Sequence, residues 1–231
     1  IAGRALNILV NTKFIEHHNL SNKYLKWLEN KPIVKYTGFV HELFKPLIGK
    51  DSVSSVVRNT IDKQFKGLLE TAKKDTNCNN SLLVALDVSG SMDAYCASGM
   101  TSYNIGKALA LFFSSMIEGP FADAFVTFSD TCEVVQFHGK DVVDKWNSFH
   151  NFGYGSTDFL QVAELFANIK KNVNEKDFPT GLLCISDGEF NNCGDEANFD
   201  EFRNVLRRAG FSKEYVDNFK IILWDTPNYF Y

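Results

Sequence analysis

Leu82-Leu83-Val84-Ala85-Leu86-Asp87-Val88-Ser89-Gly90-Ser91 is the stretch that decides the fold. Five consecutive apolar residues read as a strand buried on both faces, the signature of a parallel sheet covered by helices. The residues that follow alternate polar and small. Alternate residues of an extended segment point to one side. Asp87, Ser89 and Ser91 are therefore expected to converge just past the carboxyl end of this strand, where open α/β sheets hold their ligands. Gly90 gives the backbone room to turn there.

Downstream, strand and helix patterns alternate. Tyr103 to Met116 has helical period and stops at Gly119-Pro120. Phe121 to Phe128 and Cys132 to Phe137 read as strands, joined by the turn residues Ser129 and Asp130. That connection is too short for a crossover helix, so the pair is a hairpin and one edge strand runs antiparallel. Val142 to Phe149, Phe159 to Val173 and Phe199 to Ala209 read as helices. Leu182 to Ser186 and Phe219 to Trp224 read as strands. The expected fold class is α/β: a doubly wound, mostly parallel, Rossmann-like sheet with one antiparallel edge strand.

Residues 1–75 have a different texture and read as a small α-helical segment. Phe14, Ile15, Tyr24, Leu25 and Leu28 recur at helical spacing up to Pro32. Phe39, Val40, Leu43 and Phe44 repeat the pattern. Val53, Val56, Val57, Ile61, Phe65, Leu68 and Leu69 form a longer stripe. Lys73 to Asn80 is polar and connects this segment to the α/β domain, taken as residues 76–231.

Two further loops are expected to reach the rim that carries Asp87. One is Gly153-Tyr154-Gly155-Ser156-Thr157-Asp158, ahead of a helix. The other is Ser186-Asp187-Gly188-Glu189, directly after a strand. Thr157 adds a hydroxyl and Asp187 a second carboxylate. Oxygen donors without Cys or His suit a hard cation, Mg²⁺ first, with Mn²⁺ or Ca²⁺ as alternatives. Asp158 and Glu189 are auxiliary candidates. Taken singly, Ser and Asp after a strand more often cap the next helix, and Asp-Gly more often marks a turn. Their joint occurrence favours a metal site.

Asp-x-Ser-x-Ser after a first strand, Thr157 in a Gly-rich loop and Ser186-Asp187-Gly188 after a later strand together resemble the metal-ion-dependent adhesion site of von Willebrand factor A domains, over roughly residues 80–225. The helical segment followed by such a domain, with Gly155-Ser156-Thr157-Asp158 and the Trp224 strand, is similar to the layout of Ro-type (TROVE) RNA-binding proteins. It is also similar to that of a vWA-like family of plant, viral and microbial proteins. The resemblance implies Ser89 and Ser91 as direct metal ligands, Thr157 as a direct ligand in one state, and Asp87 and Asp187 holding the ion directly or through water. It implies a protein partner that supplies a carboxylate to the open metal position. RNA bound through the helical segment, or a scaffold role in a larger assembly, for instance a virion, are the alternatives. Glu189 or Asp158 at the open position would instead close the site. The chain stops soon after the last strand, where the von Willebrand factor A family has a further strand and helix. It reads there as a minimal domain or one lacking a C-terminal piece.

Composition narrows the rest. Of 231 residues, 45% are hydrophobic, enough to bury a sizeable core, and the 21 Phe read chiefly as core packing. Net charge is −4, so the whole chain has no basic footprint for nucleic acid. Lys23, Lys26, Lys31, Lys35, Lys45, Lys50, Arg58, Lys63 and Lys66 gather in the helical half and read first as a solvated face. Cys78, Cys96, Cys132, Cys184 and Cys193 are odd in number and lack metal spacing, which favours a reducing, cytoplasmic setting. No stretch is apolar for the ~20 residues a membrane span needs, so no insertion is expected. No signal peptide is visible, but the chain begins at Ile1 and reads as a fragment that lacks any targeting segment. No nucleophile elbow and no phosphate-binding Gly-Lys-Ser/Thr loop is present. Ser89 stands where a dehalogenase-type phosphatase would need its second carboxylate. The adjacent His17 and His18 fall on different helix faces. The chain therefore reads as a non-enzyme.

Overall fold

The computed structural model describes residues 3–31, 34–75, 82–96, 99–149, 158–187 and 196–226. In chain order the elements are α1 (Gly3–Asn11), α2 (Phe14–His17), α3 (Ser21–Glu29), α4 (Val40–Phe44), α5 (Ser55–Asp75), β1 (Leu82–Asp87), α6 (Ser102–Ser114), β2 (Ala124–Phe128), β3 (Cys132–Gln136), α7 (Val142–Asn147), α8 (Leu160–Ile169), β4 (Gly181–Ser186), α9 (Glu196–Arg208), α10 (Lys213–Asn218) and β5 (Lys220–Asp225). By contacts the chain divides into two units. Residues 1–77 with 138–149 form the first, and 78–137 with 150–231 the second.

The first unit is helical. Its long helix α5 packs against α1, α3, α4 and α7. Leu6 and Val10 of α1, Ile15, Leu28, Val34 and Val56 make one buried cluster. The Tyr24 and Thr60 hydroxyls, 2.7 Å apart, tie α3 to α5. The indole of Trp146 stacks on Phe44 at 4.6 Å. Arg58 holds α7 by its guanidinium, donating to Asp141 at 2.6 and 2.9 Å and also to Asp144. Asp141 caps that helix, its Oδ1 accepting from the amides of Val143 and Asp144 at 2.9 Å each. The Val142–Asn147 helix, read from sequence among the alternating elements, thus belongs by contacts to the helical unit.

The second unit is a five-stranded sheet in the order β3-β2-β1-β4-β5. β2, β1, β4 and β5 are parallel, and β3 runs antiparallel to β2. All six residues of β4 and all five of β2 are buried, which is why they carry no polar alternation. One face lies against α6, where Gly106 permits close approach: a Cβ there would stand 2.5 Å from Leu86 Cδ1 and 3.2 Å from Ile185 Cγ2. The other face lies against α8, α9 and α10 through Val162, Ala163, Phe166, Phe202, Leu206 and Val216. Phenylalanines fill that layer. Phe159 stacks on Phe202 at 5.2 Å, and Phe202 on Phe219 at 5.8 Å. The doubly wound, Rossmann-like class expected from sequence is the observed one.

Two elements differ from the sequence reading. Gly119–Phe121 is a 3-10 turn, so β2 starts at Ala124 rather than at Phe121. α10 was not anticipated: six mostly polar residues give no periodic stripe, and the helix is set by Ser212, whose hydroxyl accepts from the Tyr215 amide. No helix among the described residues is long and apolar enough to cross a membrane.

Candidate functional site

β1 and β4 are neighbours, so the residues just past their carboxyl ends share one rim. β1 delivers Asp87, fully buried at its last position, in register with Phe128 of β2. Ser89 remains extended, with φ −63° and ψ 164°, and then a 3-10 turn over Gly90–Asp93 begins. That turn is held by Met92 N donating to Ser89 O at 3.2 Å and Ala94 N to Ser91 O at 3.0 Å. An extended run through Ser91 was expected. The chain curls instead, and the curl is what brings the Ser91 hydroxyl to 3.1 Å from that of Ser89. Gly90 is not needed for this: its φ is not left-handed, and a Cβ there would meet nothing within 4 Å.

Asp87 organises the rim. Its Oδ1 accepts from the Ser89 amide at 2.8 Å, closing an Asx-type turn. Its Oδ2 accepts from the Ser186 hydroxyl of β4 at 2.7 Å. Burial pushes the Asp87 carboxyl above the ordinary aspartate value, the hydrogen bonds from Ser89 and Ser186 pull it down, and the charge of Asp187 pushes it up again. Asp187 itself is 7% exposed, directly after β4. Asp87, Ser89, Ser91 and Asp187 are therefore brought to the same end of the sheet. Thr157 and Glu189 lie outside the described residues. Asp158 is exposed; its carboxylate accepts from the Leu160 amide at 3.0 Å, the position of a helix cap.

Sequence reasoning missed the hydroxyls behind this rim. Thr226, following β5, is 1% exposed; its amide and hydroxyl donate to Ser186 O at 2.7 and 3.0 Å. The Ser102 hydroxyl donates to Thr226 O at 3.5 Å. Ser129, following β2, is 3% exposed, and its carbonyl accepts from the Asp158 amide at 3.5 Å. A signal was present: a Ser or Thr stands at or next to the carboxyl end of β2, β4 and β5 alike, a repetition that becomes visible only once the strands are aligned.

The donor chemistry fits a hard cation. Among the described residues no group of three or more His, Cys, Asp or Glu side chains could hold a metal. The rim offers hydroxyls and carboxylates instead. Mg²⁺ binds oxygen at about 2.1 Å in octahedral geometry, so two adjacent ligands lie about 3.0 Å apart. The Ser89 and Ser91 oxygens are 3.1 Å apart. Ca²⁺, with oxygens at about 2.4 Å, calls for a wider edge of about 3.4 Å. Cys132 is a poor nucleophile, because burial and the charges of Glu133 and Asp158 push its thiol up to about 12. Among the described residues Cys96, Cys132 and Cys184 are free thiols.

Among solved structures, the Ro (RSR) protein of Deinococcus radiodurans is similar at 18% sequence identity and a TM-score of 0.48, over 74% of this chain and 31% of that one. The chain thus spans about a third of the length of that protein. No curated protein matches the chain significantly. The model of one family, described as "Domain of unknown function (DUF7788)", matches residues 80–229, which takes in all five strands and the whole rim. The chain belongs to that DUF7788 family.

Proposed function

We propose that the second unit is a von Willebrand factor A-type module that binds Mg²⁺ at the rim and uses the ion to recognise a protein partner through a carboxylate of that partner. The observation that carries this reading is the pair of serine hydroxyls, 3.1 Å apart, poised above a carboxylate whose two oxygens are already engaged. Because Asp87 already accepts from Ser89 N and Ser186 Oγ, it is suited to orient the ligands and to reach the ion through water. The direct ligands are then neutral hydroxyls, Ser89 and Ser91, joined by Thr157, with Asp187 supplying charge nearby. An ion held by neutral oxygens stays electron-poor, and an anionic oxygen from outside fills its remaining position best.

The role is non-catalytic in this account. Ser186 is committed to Asp87 and Ser89 to Ser91, and the described histidines, His17, His18, His41 and His138, all belong to the helical unit.

The test uses the full chain against immobilised peptides that carry Glu or Asp at one position, with a single-stranded RNA as the competing arm. Capture that requires Mg²⁺ and is abolished by EDTA is expected. RNA binding that survives EDTA and falls steeply with salt, with no metal-dependent peptide capture, would overturn the reading.

A further inference from the structure

β5 closes the sheet order at an open edge. Its sequence, Lys220-Ile221-Ile222-Leu223-Trp224-Asp225, is that of an interior strand, apolar on both faces, yet Ile222, Leu223 and Trp224 are 42%, 49% and 44% exposed. The opposite edge strand, β3, is built differently: Glu133 and Gln136 are exposed there, the polar blunting that keeps an edge from pairing. Between Lys220 and Asp225, β5 has no such residue.

Pairing with β4 fixes where the backbone groups of β5 point. Lys220 N donates to Thr180 O at 3.3 Å, and Thr226 N to Ser186 O at 2.7 Å. By the alternation of a strand, even-numbered residues turn their N–H and C=O towards β4. Ile221, Leu223 and Asp225 turn theirs to the open side.

We propose that this edge pairs with the β5 strand of a second copy of the chain, antiparallel, about a two-fold axis through Leu223. A parallel arrangement would set Lys220 beside Lys220 and Asp225 beside Asp225. The antiparallel one brings the basic end of each strand to the acidic end of the other, and it closes, as a two-fold contact must. Outward residues have to face outward residues. With Leu223 opposite Leu223, Ile221 meets Asp225, so all three outward residues of each strand are bonded. A shift that centres the axis on Ile222 leaves Asp225 without an outward partner on the other β5. In the Leu223 register Ile222 of one copy lies beside Trp224 of the other, an aromatic pair with a β-branched side chain on one face. The two Leu223 side chains meet on the other face. One sheet would then run continuously through both copies.

The full chain should sediment as a dimer, at twice 26.1 kDa. Leu223→Lys sets like charges opposite each other on the axis and should give a monomer with unchanged circular dichroism, since residue 223 is half exposed. Cysteine placement checks the register independently of that variant. Residues directly opposite in a hydrogen-bonded antiparallel pair have Cα atoms about 5.5 Å apart, within disulfide reach. Leu223→Cys should therefore form a covalent dimer under mild oxidation, at least tenfold faster than Ile221→Cys or the parent chain. A parent chain that stays monomeric at 100 µM, whatever else covers β5, would overturn the proposal, as would Ile221→Cys linking as readily as Leu223→Cys.

Discussion

Replacing Gly106 by Ala sets two effects of known size against each other. In a helix interior the change gains about 1 kcal/mol of intrinsic propensity. Here the new Cβ would stand 2.5 Å from Leu86 Cδ1, 3.2 Å from Ile185 Cγ2 and 3.6 Å from Met92 Cε, all in side chains of the sheet core and the rim turn. Carbon atoms prefer about 3.5–4.0 Å, so Leu86 has to retreat by roughly 1 Å within a close-packed interior. Overpacking of this kind costs about 1–3 kcal/mol. Sterics win, and Gly106→Ala should lose about 1 kcal/mol net. Gly106→Val, which adds two more methyl groups and forfeits the propensity gain, should lose about 3 kcal/mol. Scanning calorimetry reads this as a drop in Tm of about 2–4 °C per kcal/mol for a chain of this size. Gly90→Ala, which meets nothing within 4 Å, is the matched control and should unfold as the parent does. The displaced side chains immediately precede Asp87 and Ser186, so both Gly106 variants should also bind Mg²⁺ more weakly. A Gly106→Ala chain more stable than the parent by the full propensity gain would refute the packing argument.

Asp141→Ala removes both the cap of α7 and the carboxylate that Arg58 grips; urea unfolding should report a loss of about 1–2 kcal/mol, and Asp141→Asn, which keeps the cap, should recover at least half. Lys107 is 1% exposed within α6, and burial pulls its amine down from 10.5 to about 7. Between about pH 7 and 10.5 the unfolded chain binds more protons than the folded one, so this group makes stability rise with pH across that window, by up to about 1.4 kcal/mol per pH unit. Lys107→Met should flatten that rise and be more stable than the parent at pH 7; identical slopes in parent and variant would show that the amine is not held in the neutral form.

The sheet and its helical cover were legible because burial on both faces writes itself as unbroken apolar runs, as in Leu82 to Leu86 and Leu182 to Ser186. The hairpin followed from the two turn residues between β2 and β3. α10 escaped because a short polar helix depends on one capping serine rather than on a stripe. The rim was legible in its residues but not in its geometry. Alternation placed Asp87, Ser89 and Ser91 together, whereas their actual meeting depends on a 3-10 turn and on Ser186, a bond between residues 99 positions apart. Such a contact exists only once β1 and β4 are adjacent, which no local pattern specifies. The open edge at β5 was expected from the strand order; the outward direction of Ile221, Leu223 and Asp225 required the hydrogen bonds to β4.

Titration calorimetry of Mg²⁺ into the parent chain and into the Ser89→Ala, Ser91→Ala double variant, with circular dichroism to confirm an unchanged fold, bears most directly on the hydroxyl-based cation site. One Mg²⁺ per chain in the parent, and affinity lowered at least tenfold in the folded double variant, is the predicted result. Equal affinity in the two proteins, or no binding of Mg²⁺ or Mn²⁺ by the parent, would contradict it.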